Sequence, residues 1–254
     1  MKNEIQKISL VGLGNVGYHL AKEFDKIGLQ ITHIHSRQPR SFPELTFAPK
    51  FIDLPSDLPS DQLVLLCVPD DAIGHVLEMI PVSCPVAYTS GSTDLKSLPE
   101  RENIGVLYPL QTISKDTPLD MSEVPFFIEA SNSKFSTILF DLAKKISSSV
   151  CYADSEQRKE LHLAAVWINN FTNHLIHIAK EYIENRDLDF DHLKPLLLET
   201  VTKLQEQDPY AVQTGPARRG DSKTINQHLS KLDGRSKEIY QLISESIANA
   251  YLNK

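Results

Sequence analysis

An apolar run, Ile8-Ser9-Leu10-Val11, leads without a break into Gly12-Leu13-Gly14-Asn15-Val16-Gly17, and no other feature of this chain restricts its fold so sharply. In a strand that ends in G-x-G-x-x-G, the first glycine allows a tight turn and the second lets the main chain approach a pyrophosphate. The third lets the following helix lie close on the strand. The helix N-terminus then directs its free N–H groups at the anion. Residues 5–11 read as a buried strand and 16–27 as a helix, so the context agrees with the glycines. Gly12, Gly14, Asn15, Val16 and Gly17 are the expected contacts to a dinucleotide. A glycine-rich turn with no ligand is the alternative.

The end of the second strand reads Ile34-His35-Ser36-Arg37-Gln38-Pro39-Arg40, and no Asp or Glu lies between Lys26 and Pro43. NAD proteins usually place an acid there to receive the ribose 2′-hydroxyl. A Ser36 hydroxyl followed by an Arg37 guanidinium suits a 2′-phosphate instead. NADP is therefore expected over NAD. The plainer reading keeps Arg37 and Arg40 as solvated loop charges.

Twelve of the fifteen prolines lie at or before Pro125, and no glycine occurs between Gly105 and Gly215. The first part is punctuated and strand-rich, with strands expected over 5–11, 30–35, 46–52, 62–68, 86–89, 104–108, 125–129 and 149–152. Helices over 16–27, 70–80 and 133–146 intervene. That alternation predicts an α/β fold, a mostly parallel sheet covered on both faces. From Asp154 onward, segments 154–185, 190–207, 221–232 and 235–252 carry apolar residues at helical spacing and nothing alternates like a strand. The expected organisation is a Rossmann-type domain over 1–153 and an all-α domain over 154–254.

Composition narrows the class of partner. The chain has 254 residues, 41 % hydrophobic and 23 % charged, with formal net charge −7 and no basic run. Nucleic acid or an anionic membrane would call for clustered Lys and Arg, so neither is expected. No stretch approaches the roughly 18 apolar residues of a membrane-spanning helix, and no secretory leader is recognisable. A cytoplasmic location is the default expectation. Cys67, Cys84 and Cys151 are odd in number and sit in or beside apolar runs, so they are expected as buried thiols.

In a doubly wound sheet the ligand lies beyond the carboxyl ends of the strands. Val68, Pro69 and Asp70 follow the fourth strand and should border the cofactor, with Asp70 also capping the next helix. Tyr88-Thr89-Ser90-Gly91-Ser92-Thr93 ends the fifth. Ser90, Gly91 and Ser92 form either a substrate cradle of hydroxyls and N–H groups or a plain turn. Tyr108-Pro109-Leu110-Gln111-Thr112 closes the same crevice.

In the helical part, at 100° per residue, His162, Val166, Asn169, Asn173, His177 and Lys180 fall on one face of 154–185. A row of imidazoles and amides in an otherwise apolar helix must find partners, and such a row commonly lines a wet cleft or an interface. His162 is a candidate general acid, with Asn169 or Asn173 orienting substrate; the alternative is a histidine satisfied in a core or dimer interface. His174 and His177 lack a third ligand of matching spacing, so no metal is expected. Gln213-Thr214-Gly215-Pro216-Ala217-Arg218-Arg219-Gly220-Asp221 is a tight loop before a helix capped by Asp221. Its arginines, Arg219 ahead of Arg218, suit a substrate carboxylate or phosphate, or are surface charges.

Taken together, G-L-G-N-V-G, the S-R pair, C-V-P-D-D-A-I, T-S-G-S, Y-P-L-Q-T, H-L-A-A-V-W-I-N-N-F-T-N-H-L and T-G-P-A-R-R-G-D resemble Rossmann-like proteins with a C-terminal helical domain, DUF2520. These are usually labelled NADP oxidoreductases. More remotely the layout is similar to pyrroline-5-carboxylate reductases, ketopantoate reductases and β-hydroxyacid dehydrogenases. The resemblance implies hydride transfer between NADP and a small carbonyl, imine or hydroxy acid at an interdomain crevice, and a homodimer formed through the helical domain. β-Hydroxyacid dehydrogenases place a catalytic lysine three residues before the Asn-Asn pair, and here that residue is Val166. Histidine often stands in the family's motif where this chain has Tyr108, so Tyr108 is either a weak acid or a packing residue. Two other functions stay open: a non-catalytic NADP(H)-binding redox sensor, and a deazaflavin-dependent NADP reductase.

Overall fold

The computed structural model describes residues 5–36 and 44–252. Among them, strands β1 (Lys7–Val11), β2 (Gln30–His35), β3 (Lys50–Phe51), β4 (Leu63–Leu66), β5 (Val86–Tyr88), β6 (Ile104–Pro109), β7 (Phe126–Ala130) and β8 (Val150–Tyr152) form one sheet. The order is β3-β2-β1-β4-β5-β6-β7-β8. Every neighbouring pair is parallel except β6 and β7. The expected mostly parallel sheet is therefore present, with order 3-2-1-4-5-6 and its switch point between β1 and β4.

Period-two alternation explains the two cores. Leu63 and Leu65 of β4 point to one side of the sheet and Val64 and Leu66 to the other, and all four are buried because helices cover both faces. Helix α1 (Asn15–Lys26) lays Leu20 and Phe24 on the first face, beside Leu139 and Leu142 of α3 (Ser133–Lys144). Helix α2 (Ile73–Met79) lays Ile73 and Leu77 on the second. Helix α1 ends where Gly28 takes φ +78°: Gly28 N–H donates to the Asp25 carbonyl and Leu29 N–H to that of Phe24, which turns the chain into β2.

Several elements differ from the sequence expectation. The third strand is only two residues long; prolines 43 and 49 leave it little uninterrupted backbone to pair. The long helix expected over 154–185 is three segments: α4 (Ser155–Ala165), a π-helical stretch Val166–Phe171, and α5 (Thr172–Glu184). Asp154 starts α4 with a capping box, its carboxylate accepting from Gln157 N–H while the Gln157 side chain accepts from Asp154 N–H. Cys151 is exposed, against the expectation of a buried thiol, because β8 is the sheet edge and turns that side chain outward.

The chain divides into two compact units after Asn170, so α4 and the sheet belong to one unit. The second unit contains α5, α6 (Lys194–Glu206), α7 (Pro209–Val212), α8 (Ser222–Leu229) and α9 (Gly234–Leu252). Tyr210 and Tyr251 stack with centroids 4.3 Å apart, and Tyr251 O–H donates to the Tyr210 carbonyl at 2.7 Å. Among the described residues of this unit only Ala217 is buried. No helix of the described residues is long and apolar enough to cross a membrane.

Candidate active site

The glycine loop is shaped by contacts that a side chain would destroy. Gly12 has φ +96°, and a Cβ there would lie 2.3 Å from the Cys67 carbonyl oxygen; one on Gly17 would lie 2.3 Å from the Gly12 carbonyl oxygen. A Cβ on Gly14 would meet nothing within 4 Å, so that face of the loop is open. Helix α1 begins there with no side-chain cap and no acidic residue in its first turn, which leaves its N–H groups free to meet an anion. The Asn15 carboxamide is turned aside: its Oδ1 accepts from Lys115 N–H at 3.3 Å and holds the loop after β6 against the first turn of α1. Lys115 Nζ lies 4.8 Å from the Tyr18 ring centroid. Val16 is half-buried, as is Ser36 at the end of β2; Arg37 lies outside the described residues.

Beyond β4, Val68 and Pro69 lead into a 3₁₀ turn, Asp70–Ala72. Asp70 does not cap it. The chain enters the turn at Pro69, which places Asp70 inside the turn, and its carboxylate accepts from the Ser92 hydroxyl instead. The carboxyl ends of β4 and β5 are thereby tied together. Ser90 Oγ is committed within its own turn, accepting from Ser92 N–H at 3.1 Å and Thr93 N–H at 2.9 Å. Gly91 lies against the Tyr108 ring, where a Cβ would come within 2.5 Å of Cζ and 2.8 Å of the phenol oxygen.

At the end of β6, Tyr108 meets His162 of α4 with Oη and Nδ1 3.1 Å apart. Tyr108 is 8 % exposed and His162 half-buried. Burial pushes the Tyr108 phenol above its usual range, and the Asp70 carboxylate pushes it in the same direction while the Arg158 guanidinium opposes both. The phenol keeps its proton at neutral pH, and the direction of the bond follows the imidazole: Tyr108 O–H donates to a bare His162 Nδ1, whereas a protonated Nδ1 donates to the phenol oxygen.

Beneath this pair lies Arg158, fully buried and ion-paired to Glu129 of β7. Reading the sequence did not single out either residue. The available signal was Glu129 itself, an acid after Phe126-Phe127-Ile128 in a strand of the sheet, which requires a buried partner.

The remaining candidates are dispersed. Asn169 sits exposed on the π-helical stretch and Asn173 exposed on α5, in the other compact unit; neither side chain makes a hydrogen bond among the described residues. Extrapolation at 100° per residue does not carry across a π turn, whose wider spacing sets later side chains back by about one residue, roughly 100°. In the loop of the second unit, Arg218 is turned inward, donating to the Gln213 carbonyl and lying over Tyr251, whereas Arg219 is exposed. Asp221 caps α8, accepting from Thr224 N–H at 3.0 Å. No group of three or more His, Cys, Asp or Glu able to hold a metal occurs among the described residues.

No functionally curated protein matches the sequence. Among solved structures, a protein of Bacteroides fragilis provisionally described as an NADP oxidoreductase has 35 % identity and TM-score 0.86, covering 98 % of this chain and 100 % of that one. A protein of Thermotoga maritima has 19 % identity and TM-score 0.67 over 96 % of this chain and 98 % of its own. The pyrroline carboxylate reductase of Plasmodium falciparum, solved with NADP bound, has 15 % identity and TM-score 0.59 over 97 % and 94 %, a likeness of fold. Residues 124–247 match the domain of unknown function DUF2520, and with the Bacteroides relative alike along its whole length, the chain belongs to the DUF2520 family.

Proposed function

We propose that the protein is an NADP-dependent oxidoreductase that moves a hydride between NADP(H) and a small carbonyl, imine or hydroxy-acid substrate. The observation that carries this reading is the Tyr108–His162 hydrogen bond at the end of β6, in the same unit as an open glycine loop at the end of β1. The 35 % identical relative described as an NADP oxidoreductase supports it.

The residues fit the cofactor. Gly14 leaves room for a pyrophosphate against the main chain, and the N–H groups of Asn15, Val16 and Gly17 open α1 without a competing carboxylate. Ser36 and Arg37 would receive the 2′-phosphate, and Val68 and Pro69 would line the ribose side. When bound, the nicotinamide supplies or accepts the hydride. His162 handles the proton: as an imidazolium it donates Nδ1–H to the Tyr108 oxygen and passes its Nε2 proton to the substrate oxygen or nitrogen, which leaves a neutral imidazole with its remaining proton on Nδ1. The bond between Asp70 and Ser92 fixes the turn after β5, whose Gly91 supports the Tyr108 ring. Asn169 is kept as a candidate for orienting substrate; Asn173 and Arg219 belong to the second unit, and the reading does not lean on them.

The same reading includes a homodimer through the helical unit. Leu196, Leu198, Val201, Leu204 and Leu242 are 44–68 % exposed there, large apolar side chains that a partner subunit would cover.

The deciding experiment is a fluorescence titration of wild type and Arg37→Ala with NADPH and NADH, followed by a hydride-transfer screen against carbonyls, imines and hydroxy acids. NADPH preferred in the wild type and weakened in the variant is the expected result. Equal or absent binding of the two cofactors would overturn the reading.

A further inference from the structure

The turn after β5 and helix α4 are joined through a side chain to which the proposed chemistry assigns no step. Arg158 lies one helical turn before His162 and is 0 % exposed. Its Nη2 donates to the Thr93 carbonyl at 2.8 Å, and its Nη1 pairs with Glu129 Oε2, which also accepts from Ser155 Oγ at 2.8 Å. Tyr88 O–H donates to the same Thr93 carbonyl at 3.2 Å. Ser155 Oγ accepts from Leu95 N–H at 3.1 Å, and Lys159 Nζ reaches Asp94 at 3.1 Å. Three successive residues, Thr93, Asp94 and Leu95, thus hang from the first turns of α4.

Stability is a weak reason for this arrangement. Burying an ion pair costs desolvation that its attraction often fails to recover, and Arg158 Nε is buried with no hydrogen-bond partner among the described residues. Geometry is a better reason. Gly91, two residues before Thr93, touches the Tyr108 ring; His162, one turn after Arg158, completes the Tyr108 hydrogen bond. Both sides of that 3.1 Å contact are therefore referenced to one guanidinium.

We propose that Arg158, through Thr93 and Glu129, is a positioning residue that locks the Ser90–Thr93 turn to helix α4 and so sets the spacing of Tyr108 and His162. This role rests on reading Tyr108 and His162 as the proton-handling pair. Arg158 also lowers the Tyr108 phenol against the opposing effects of burial and Asp70, as a guanidinium close to the ring must. A lysine would keep the charge and lose the fork that reaches Thr93 and Glu129 together.

The test uses the full chain and the ¹⁵N resonances of the His162 imidazole, with Tyr108→Phe defining the value for a lost hydrogen bond. The double variant Arg158→Met with Glu129→Leu removes both charges and keeps the volume, a replacement that buried pairs commonly tolerate. In that variant, and in Arg158→Lys, the His162 signals are expected to shift toward the Tyr108→Phe value while NADPH affinity stays unchanged. Should the double variant not fold, Arg158→Lys decides by the same signals. His162 resonances at the wild-type position in a folded variant would overturn the role. The resonance is independent of turnover, so a wild type that binds no NADPH would refute the proposed function and leave this measurement readable.

Discussion

Replacing Gly91 by alanine tests whether the turn after β5 sets the Tyr108–His162 pair. The new Cβ would lie 2.5 Å from Tyr108 Cζ, and ordinary contact begins at 3.4 Å, so ring and turn must separate by about 0.9 Å. The ring has little room, since Tyr108 is 8 % exposed and packed near Phe127, with centroids 6.4 Å apart. A displacement of that size takes the 3.1 Å contact with His162 past the range of a useful hydrogen bond. Overpacking of this kind costs about 1–3 kcal/mol, and the lost bond adds about 1 kcal/mol. For a unit of this size the melting temperature should fall by about 4–16 °C. With a substrate in hand, an acid misplaced by about 1 Å should lower kcat roughly 100-fold. Calorimetry measures the first effect, the His162 ¹⁵N resonances the displacement, and an NADPH titration the integrity of the glycine loop, which the substitution does not touch. Gly91→Ala with an unchanged melting temperature and wild-type His162 resonances would refute the argument.

Gly12 and Gly14, two residues apart, should behave oppositely. Gly12→Ala forces a Cβ onto the Cys67 carbonyl at φ +96° and is expected to cost about 3 kcal/mol or more, visible as a large drop in melting temperature. Gly14→Ala meets no atom within 4 Å, so its stability should change by less than about 0.5 kcal/mol. Its NADPH affinity should nonetheless fall about tenfold or more, because the methyl occupies the approach of the pyrophosphate. For the helical unit, Leu198→Glu combined with Leu242→Glu should convert a dimer into monomers in sedimentation velocity, the two leucines being 68 % and 66 % exposed. A wild type that sediments as a monomer at all concentrations would refute the dimer.

What the sequence by itself determined is the architecture around β1 and α1 and the alternation that follows. Those signals are local: three glycines within six residues, of which Gly12 meets a positive φ and a close carbonyl, Gly17 a close carbonyl and Gly14 an open face, and apolar periods that reveal strand or helix over a short window. The cap at Asp221 was legible for the same reason, since its carboxylate answers an N–H group three residues away. Asp70 shows the limit of that logic. It has the composition of a cap, yet Ser92, 22 residues distant, takes its carboxylate once β4 and β5 lie side by side. His162 stood out as a polar residue on an apolar helix, but its partner Tyr108 is 54 residues away and on a strand. The π-helical stretch Val166–Phe171 and the buried pair of Arg158 and Glu129 belong to the same class. Only tertiary structure decided them, because hydrogen bonds and ion pairs between distant segments depend on how the sheet brings strand ends together, and no local period records that.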